Sequence, residues 1–165
     1  MRFIGLVMSA LLLSFPVWAK PDHLGTYKDW SAFAMRDGGS KTCFMLSEPK
    51  DKNPKNVKRG KVYMFVSHTN SGSRKAEINL QAGYPFAKDS TATAKVGSAK
   101  FTLFTENEDA WVQNLKDQPK MIAAMRKGSR LTITGKSRRG TRTVDHYSLS
   151  GFTKAYQTIS RECGV

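Results

Sequence analysis

Cysteine and histidine are scarce in this chain, with two and three copies in 165 residues. His23, His68 and His146 stand alone, and neither H-x-x-x-H nor C-x-x-C occurs. The local spacings that hold zinc are therefore missing. No glycine-rich loop has phosphate-cradling spacing, and no serine sits in G-x-S-x-G. Neither a nucleotide loop nor a nucleophile elbow is written into the chain, and no metal or other cofactor is expected. Acids are also few, 13 Asp and Glu against 27 Lys and Arg. Repeats and low-complexity tracts are lacking. After residue 18 no apolar run is long enough to cross a hydrocarbon core of ~30 Å, so no transmembrane segment is expected in the mature chain.

The start of the chain has a different character. Arg2 precedes residues 3–18, FIGLVMSALLLSFPVW, which are apolar apart from Ser9 and Ser14. Val17 and Ala19 then stand at the two positions a signal peptidase reads, which predicts a secretory signal over residues 1–19. Sixteen residues interrupted by Pro16 are too short for a comfortable membrane span. The mature chain would begin at Lys20 as a single domain, 20–165, long enough for a real core. No cysteine follows the cleavage point to carry a lipid. The expected location is a periplasm or the cell exterior, with association to an outer membrane left open. Export removes the reducing environment, so Cys43 and Cys163 are expected to form one disulfide.

The formal net charge is +14, or +13 once Arg2 is removed. It is concentrated in two segments. Residues 50–61 hold Lys50, Lys52, Lys55, Lys58, Arg59 and Lys61 against Asp51, and residues 126–142 hold seven basic residues and no acid. Such localisation favours an anionic partner over mere solubility. The candidate polyanion-binding side chains are Lys52, Lys55, Lys58 and Arg59 in one segment and Arg138, Arg139 and Arg142 in the other. Segment 126–142 has no aromatic residue, and the other has only Tyr63 beside it. Single-strand binders interleave stacking platforms with their charges, so no specific nucleic-acid partner is expected. Lipopolysaccharide, acidic glycans or anionic lipid fit better.

The mature chain reads mainly as strands. YKDWSAFAM alternates and, with TCFMLS, flanks a Gly-Gly turn as a hairpin. EPKDKNPKNVKRG, with two prolines and no apolar period, reads as a loop. KVYMFVSHT is the most apolar strand and is placed centrally; NSGS turns it, and KAEINLQAG points Ala76, Ile78, Leu80 and Ala82 inward. TATAKV and AKFTLFTE form a second hairpin, RLTITGK and TRTVDHYSLS a third with SRRG at its tip. KDQPKMIAAMRKG is a short helix, with Asp117 as cap, Pro119 in the first turn and Gly128 at the stop. In the last segment Phe152, Ala155, Tyr156, Ile159 and Cys163 share one helical face, with Ser150 as the expected N-cap. Cys163 then points inward, and Cys43 is its natural partner if strand 42–47 lies beneath. Eight or so strands with two short helices predict a mainly β, antiparallel sandwich.

DHYS, residues 145–148, places an acid, an imidazole and a hydroxyl within four positions. In a strand Asp145 and His146 point to opposite faces, so this Asp cannot orient this His. His146 and Ser148 share a face, but their Cα atoms are about 6.6 Å apart at ~3.3 Å rise per residue. Catalysis is not expected here, and a hydrolase is the most distant of the readings.

The motifs YKDWSAF, KTCFMLSEPK, RGKVYMFVSH, INLQAGYPFAKDS, KFTLFTENEDAW, AAMRKG, ITGKSRRGT and DHYSLSGFTKAY occur in this order. Together they resemble the invasion-associated locus B family over nearly all of Tyr27–Cys163. The resemblance implies an immunoglobulin-like β-sandwich exported by Gram-negative, mostly alphaproteobacterial cells. It implies no enzyme activity and no catalytic residues; the family name comes from host-cell invasion by pathogenic members. Many relatives have a further cysteine shortly after the DW motif, where this chain has Ala34, so a second disulfide is excluded by count. Two roles follow as expectations: a non-enzymatic envelope or host-interaction factor, or a periplasmic module binding anionic envelope polymers through its basic loops.

Overall fold

The computed structural model describes residues 20–70 and 75–165. The expected signal peptide, residues 1–19, and most of the NSGS turn lie outside the described residues. The strands are β1 (Asp22–Tyr27), β2 (Trp30–Asp37), β3 (Ser40–Ser47), β4 (Asp51–Asn53), β5 (Tyr63–Thr69), β6 (Glu77–Gln81), β7 (Thr91–Val96), β8 (Ala99–Glu106), β9 (Asp109–Val112), β10 (Arg130–Lys136) and β11 (Arg142–Ser148). The helices are α1 (Gln118–Lys127), preceded by a 3-10 turn at Leu115–Asp117, and α2 (Phe152–Cys163).

All strands join one antiparallel sheet in the order β1-β2-β3-β5-β6-β9-β8-β7-β10-β11-β4. One face of nearly every strand is buried. Trp30, Ala32 and Ala34 alternate inward on β2, Cys43 and Met45 on β3, Met64 and Val66 on β5, and Leu131 and Ile133 on β10. A sheet with one apolar face must cover it. Here the sheet folds over on itself, and its ends meet. Asp29 N donates to Ser150 O at 3.2 Å, and Trp30 Nε1 donates to Ser148 O at 3.0 Å. Lys50 Nζ, beside edge strand β4, lies 2.5 Å from Asp29 Oδ1 at the other edge. The result is the predicted mainly β sandwich, with eleven strands among the described residues rather than eight.

Three strands were not read in the sequence. β9, DAWV, offers only two alternations, and β1 ends at Tyr27, where the alternating run YKDWSAFAM begins; Lys28 and Asp29 turn the chain into β2. β4 lies inside the segment expected to be a loop. No apolar period could reveal it, because it is an edge strand recruited by β11 (Val144↔Asn53, Asp145↔Lys52, His146↔Asp51).

Helix α2 lies against β1, β2, β3 and β5. Phe152, Ala155 and Ile159 are fully buried, and the Phe152 ring meets Trp30 edge-on at 5.0 Å. Burying side chains such as Phe152 and Ile159 contributes roughly 1.5–3 kcal/mol each. Cys163 reaches Cys43 on β3, and the two form a disulfide across a sequence separation of 120. The expected cap at Ser150 is corrected: Gly151 occupies the cap position at φ 90°. A Cβ there would sit 1.8 Å from Tyr27 O, so only glycine fits, while Ser150 receives Asp29 instead. Asp117 stands at the α1 cap position but makes no capping bond; its carboxylate meets Lys120 Nζ at 2.8 Å.

Candidate polyanion interface

Strands β10 and β11 pair from Arg130↔Ser148 to Lys136↔Arg142, leaving Ser137–Thr141 as the tip. This tip is braced from both sides. Within it, Ser137 N donates to Thr141 O at 2.9 Å, and Thr141 N donates to Ser137 Oγ at 3.2 Å. Outside it, the 85–87 segment grips the tip: Arg138 N donates to Pro85 O at 2.8 Å, and Ala87 N to Lys136 O at 2.9 Å. Arg138, Arg139 and Arg142 are exposed. Their backbone is thus ordered before any ligand arrives, which lowers the entropic cost of binding.

The second basic segment comes to the same edge. In β4 the chain runs antiparallel to β11, so its course from Asp51 to Asn53 leads from His146 toward Arg142. Strand spacing of ~4.8 Å and rise of ~3.3 Å per residue put the Lys52 and Arg142 Cα atoms about 11 Å apart, with Lys52 on the sheet face of its partner Asp145 and Arg142 on the other. Lys52, Lys55 and Lys58 are exposed. Lys55 Nζ lies 3.6 Å from Asp51 Oδ1. A hydrogen bond from Asn53 Nδ2, and then the Lys55 charge, hold the Asp51 carboxyl below its ordinary range. This acid is therefore already engaged beside the lysines.

Arg59 does not belong to this surface, and its expected role is corrected. Its side chain is 5% exposed and that of Asp145 2%. Nη1 donates to Asp145 Oδ1 at 2.6 Å and Nη2 to Oδ2 at 2.7 Å, a two-pronged pairing. Nη2 also donates to Ala82 O at 2.8 Å, and the guanidinium carbon lies 4.9 Å from the Tyr84 ring centre. Burial opposes the charge on Arg59, but hydrogen bonds to Asp145 and its negative charge raise the arginine pKa above its ordinary value. Arg59 is a latch: it ties the end of the basic segment to β11. Nothing in its local sequence separated it from its lysine neighbours, because its partner lies 86 positions away.

The DHYS residues separate as strand geometry requires. Asp145 is held by Arg59, His146 Nδ1 lies 3.0 Å from Thr132 Oγ1, and Ser148 Oγ accepts from Ser150 N at 3.1 Å. Each has its own partner, and the three do not form a relay. Among the described residues no group of three or more His, Cys, Asp or Glu could hold a metal ion, and no helix is long and apolar enough to cross a membrane.

The family model described as "Invasion associated locus B (IalB) protein" matches residues 30–160. The chain belongs to the invasion-associated locus B family. Among solved structures it is similar to the crystal structure of invasion associated protein B from Bartonella henselae, with a TM-score of 0.59 and 19% identity over 88% of this chain and 97% of that one. At that identity the likeness is one of fold. No curated protein matches the chain. The family match begins at Trp30, the residue that joins β2 to the end of β11, and ends within α2 three residues before Cys163.

Proposed function

We propose that this chain is an exported, non-enzymatic envelope protein that engages anionic envelope or host-surface polymers through the basic edge formed by β4 and the β10–β11 tip. Lipopolysaccharide and acidic glycans are the partner class, and the site is periplasmic or on the cell exterior. The observation that carries the reading is the β4–β11 pairing, which lays the second basic segment along the strand that leads to Arg142. Arginine forks suit phosphate, sulfate and carboxylate groups, and lysines add mobile charge around them. A role in contact with host cells follows if the invasion activity named for the family extends to this member.

Heparin and immobilised lipopolysaccharide serve as probes. The mature wild type should bind both and elute at higher salt than either Arg138/Arg139/Arg142→Ser or Lys52/Lys55/Lys58→Ser, because exposed charges are screened beyond ~8–10 Å at 0.1–0.15 M. Equal elution salt for all three proteins would reduce the basic edge to a solvated surface and overturn the reading.

A further inference from the structure

The tip is one end of a longer feature. Cross-strand register places two rows of outward side chains across the same sheet face. One row runs Asn53, Val144, Thr134, Thr93 and Thr102; the next runs Asp51, His146, Thr132, Lys95 and Lys100. Beyond the first row stand Arg142 and Lys136, and beyond the second Arg130 faces Ser148. Cations thus occupy both ends of the β10–β11 pair, and hydroxyl and amide side chains occupy much of the space between.

The far end is concave. A cleft of about 560 Å³ is lined by Lys50, Ser129, Arg130, His146 and Ser148 among others. A second, of about 620 Å³, is lined by Lys95, Lys127, Arg130 and Thr132 among others. They share Ser129 and Arg130, so they adjoin. Lys95, Lys100, Lys127 and Arg130 are exposed. None of them was singled out as a binding residue in the sequence. The acids near this path are already engaged: Asp29 by Lys50, whose hydrogen bond is the main cause of its lowered pKa, and Asp51 by Asn53 and Lys55.

We infer that the basic edge continues as a track along β10 and β11 that holds one extended acidic glycan chain, contacting it at the Arg138–Arg142 tip and again at the Lys95–Lys127–Arg130 cleft. This rests on the polyanion reading above and adds the ligand's form and direction. Six steps of strand lead from Lys136 to Arg130, about 20 Å at ~3.3 Å each. A single phosphate or a short fragment cannot touch both ends. Charge also sets the direction. Phe86 N donates to Asn107 O at 2.7 Å and Phe86 bridges Ser137, so the β8–β9 turn with Glu106, Glu108 and Asp109 flanks the tip on its β10 side, where it repels an anion. The strand direction, from the tip toward Arg130, is open to it. The two rows carry no Phe, Tyr or Trp side chain, so they offer hydrogen bonds to sugar hydroxyls rather than platforms for nucleic-acid bases.

Size-fractionated heparin fragments, shorter and longer than about 20 Å, are the probe. The wild type should bind the long fragments at least tenfold more tightly than the short ones, since a second contact on one chain acts at high effective concentration. Lys95/Lys127/Arg130→Ser should remove that length dependence and leave only the short-fragment binding that the tip supplies. The charge-conserving Lys95→Arg/Lys127→Arg/Arg130→Lys variant should restore it, and thermal melting of each variant checks that the fold persists. Loss of binding in the tip variants, with no length dependence and no effect of the cleft variant, would overturn the track and leave the polyanion reading intact. Tip variants that bind as the wild type would overturn both. An oligodeoxynucleotide of the same length competing as well as the long heparin fragment would overturn the commitment to a glycan.

Discussion

Breaking the Arg59–Asp145 pair should cost more than any change among the exposed basic residues. Both side chains are almost completely buried, and the carboxylate takes two guanidinium hydrogen bonds. Asp145→Asn would leave the guanidinium charge buried without its counter-charge; Arg59→Met would do the same to the carboxylate. Removing one partner of a buried pair costs about 3–5 kcal/mol, because the remaining charge keeps its desolvation penalty. In a domain of this size that corresponds to a fall in Tm of roughly 10 °C. Replacing both, as Arg59→Met/Asp145→Leu, removes both penalties and should cost less than either single change. Lys58→Ser, one residue away but exposed, should stay within about 0.5 kcal/mol of wild type. Urea denaturation of the mature, disulfide-intact protein gives all four values. Single variants costing under about 1 kcal/mol, or a double variant costing the sum of the two, would refute the latch, since a coupled pair is non-additive.

Two further changes test the frame around the site. The Cys43–Cys163 bond closes a loop with a separation of 120, for which the chain-entropy model allows about 5 kcal/mol; Cys43→Ser/Cys163→Ser should lose roughly 2–5 kcal/mol by urea denaturation, and a loss below about 1 kcal/mol would show that helix packing alone secures α2. Burial, and then the Lys75 charge, hold His68 below the ordinary imidazole value, while Ala76 N–H donates to its Nδ1 at 3.0 Å and Nε2 lies 3.0 Å from Ser160 Oγ. As pH falls below ~6.5, the unfolded chain protonates first and the folded state loses stability until its own lower pKa is reached. Urea midpoints between pH 7 and 5 should fall for wild type and fall less for His68→Gln; equal slopes would remove His68 as the cause.

Much of the framework was legible because it rests on local periods. Alternation placed Ala76, Ile78, Leu80 and Ala82 inward, and the helical face of Phe152, Ala155, Ile159 and Cys163 pointed the last cysteine at the core. The same period-2 rule separated Asp145 from His146. Edge strand β4 was not legible, since its three residues take their extended form from backbone pairing with β11. Cap chemistry misled at Ser150, where a close approach to Tyr27 O decides the residue and no local pattern reveals it.

The sequence by itself determined the sandwich class, the pairing of its two cysteines and the presence of two dense basic segments, because composition and short periods survive without a third dimension. Only the tertiary structure decided which charges face solvent. It withdrew Arg59 into a pair with Asp145, drew Lys52 alongside β11, and aligned Lys95 and Arg130 on neighbouring strands. Charge is a property of each residue, but burial and register join residues far apart in the chain, and those two alone turn a count of lysines and arginines into a surface.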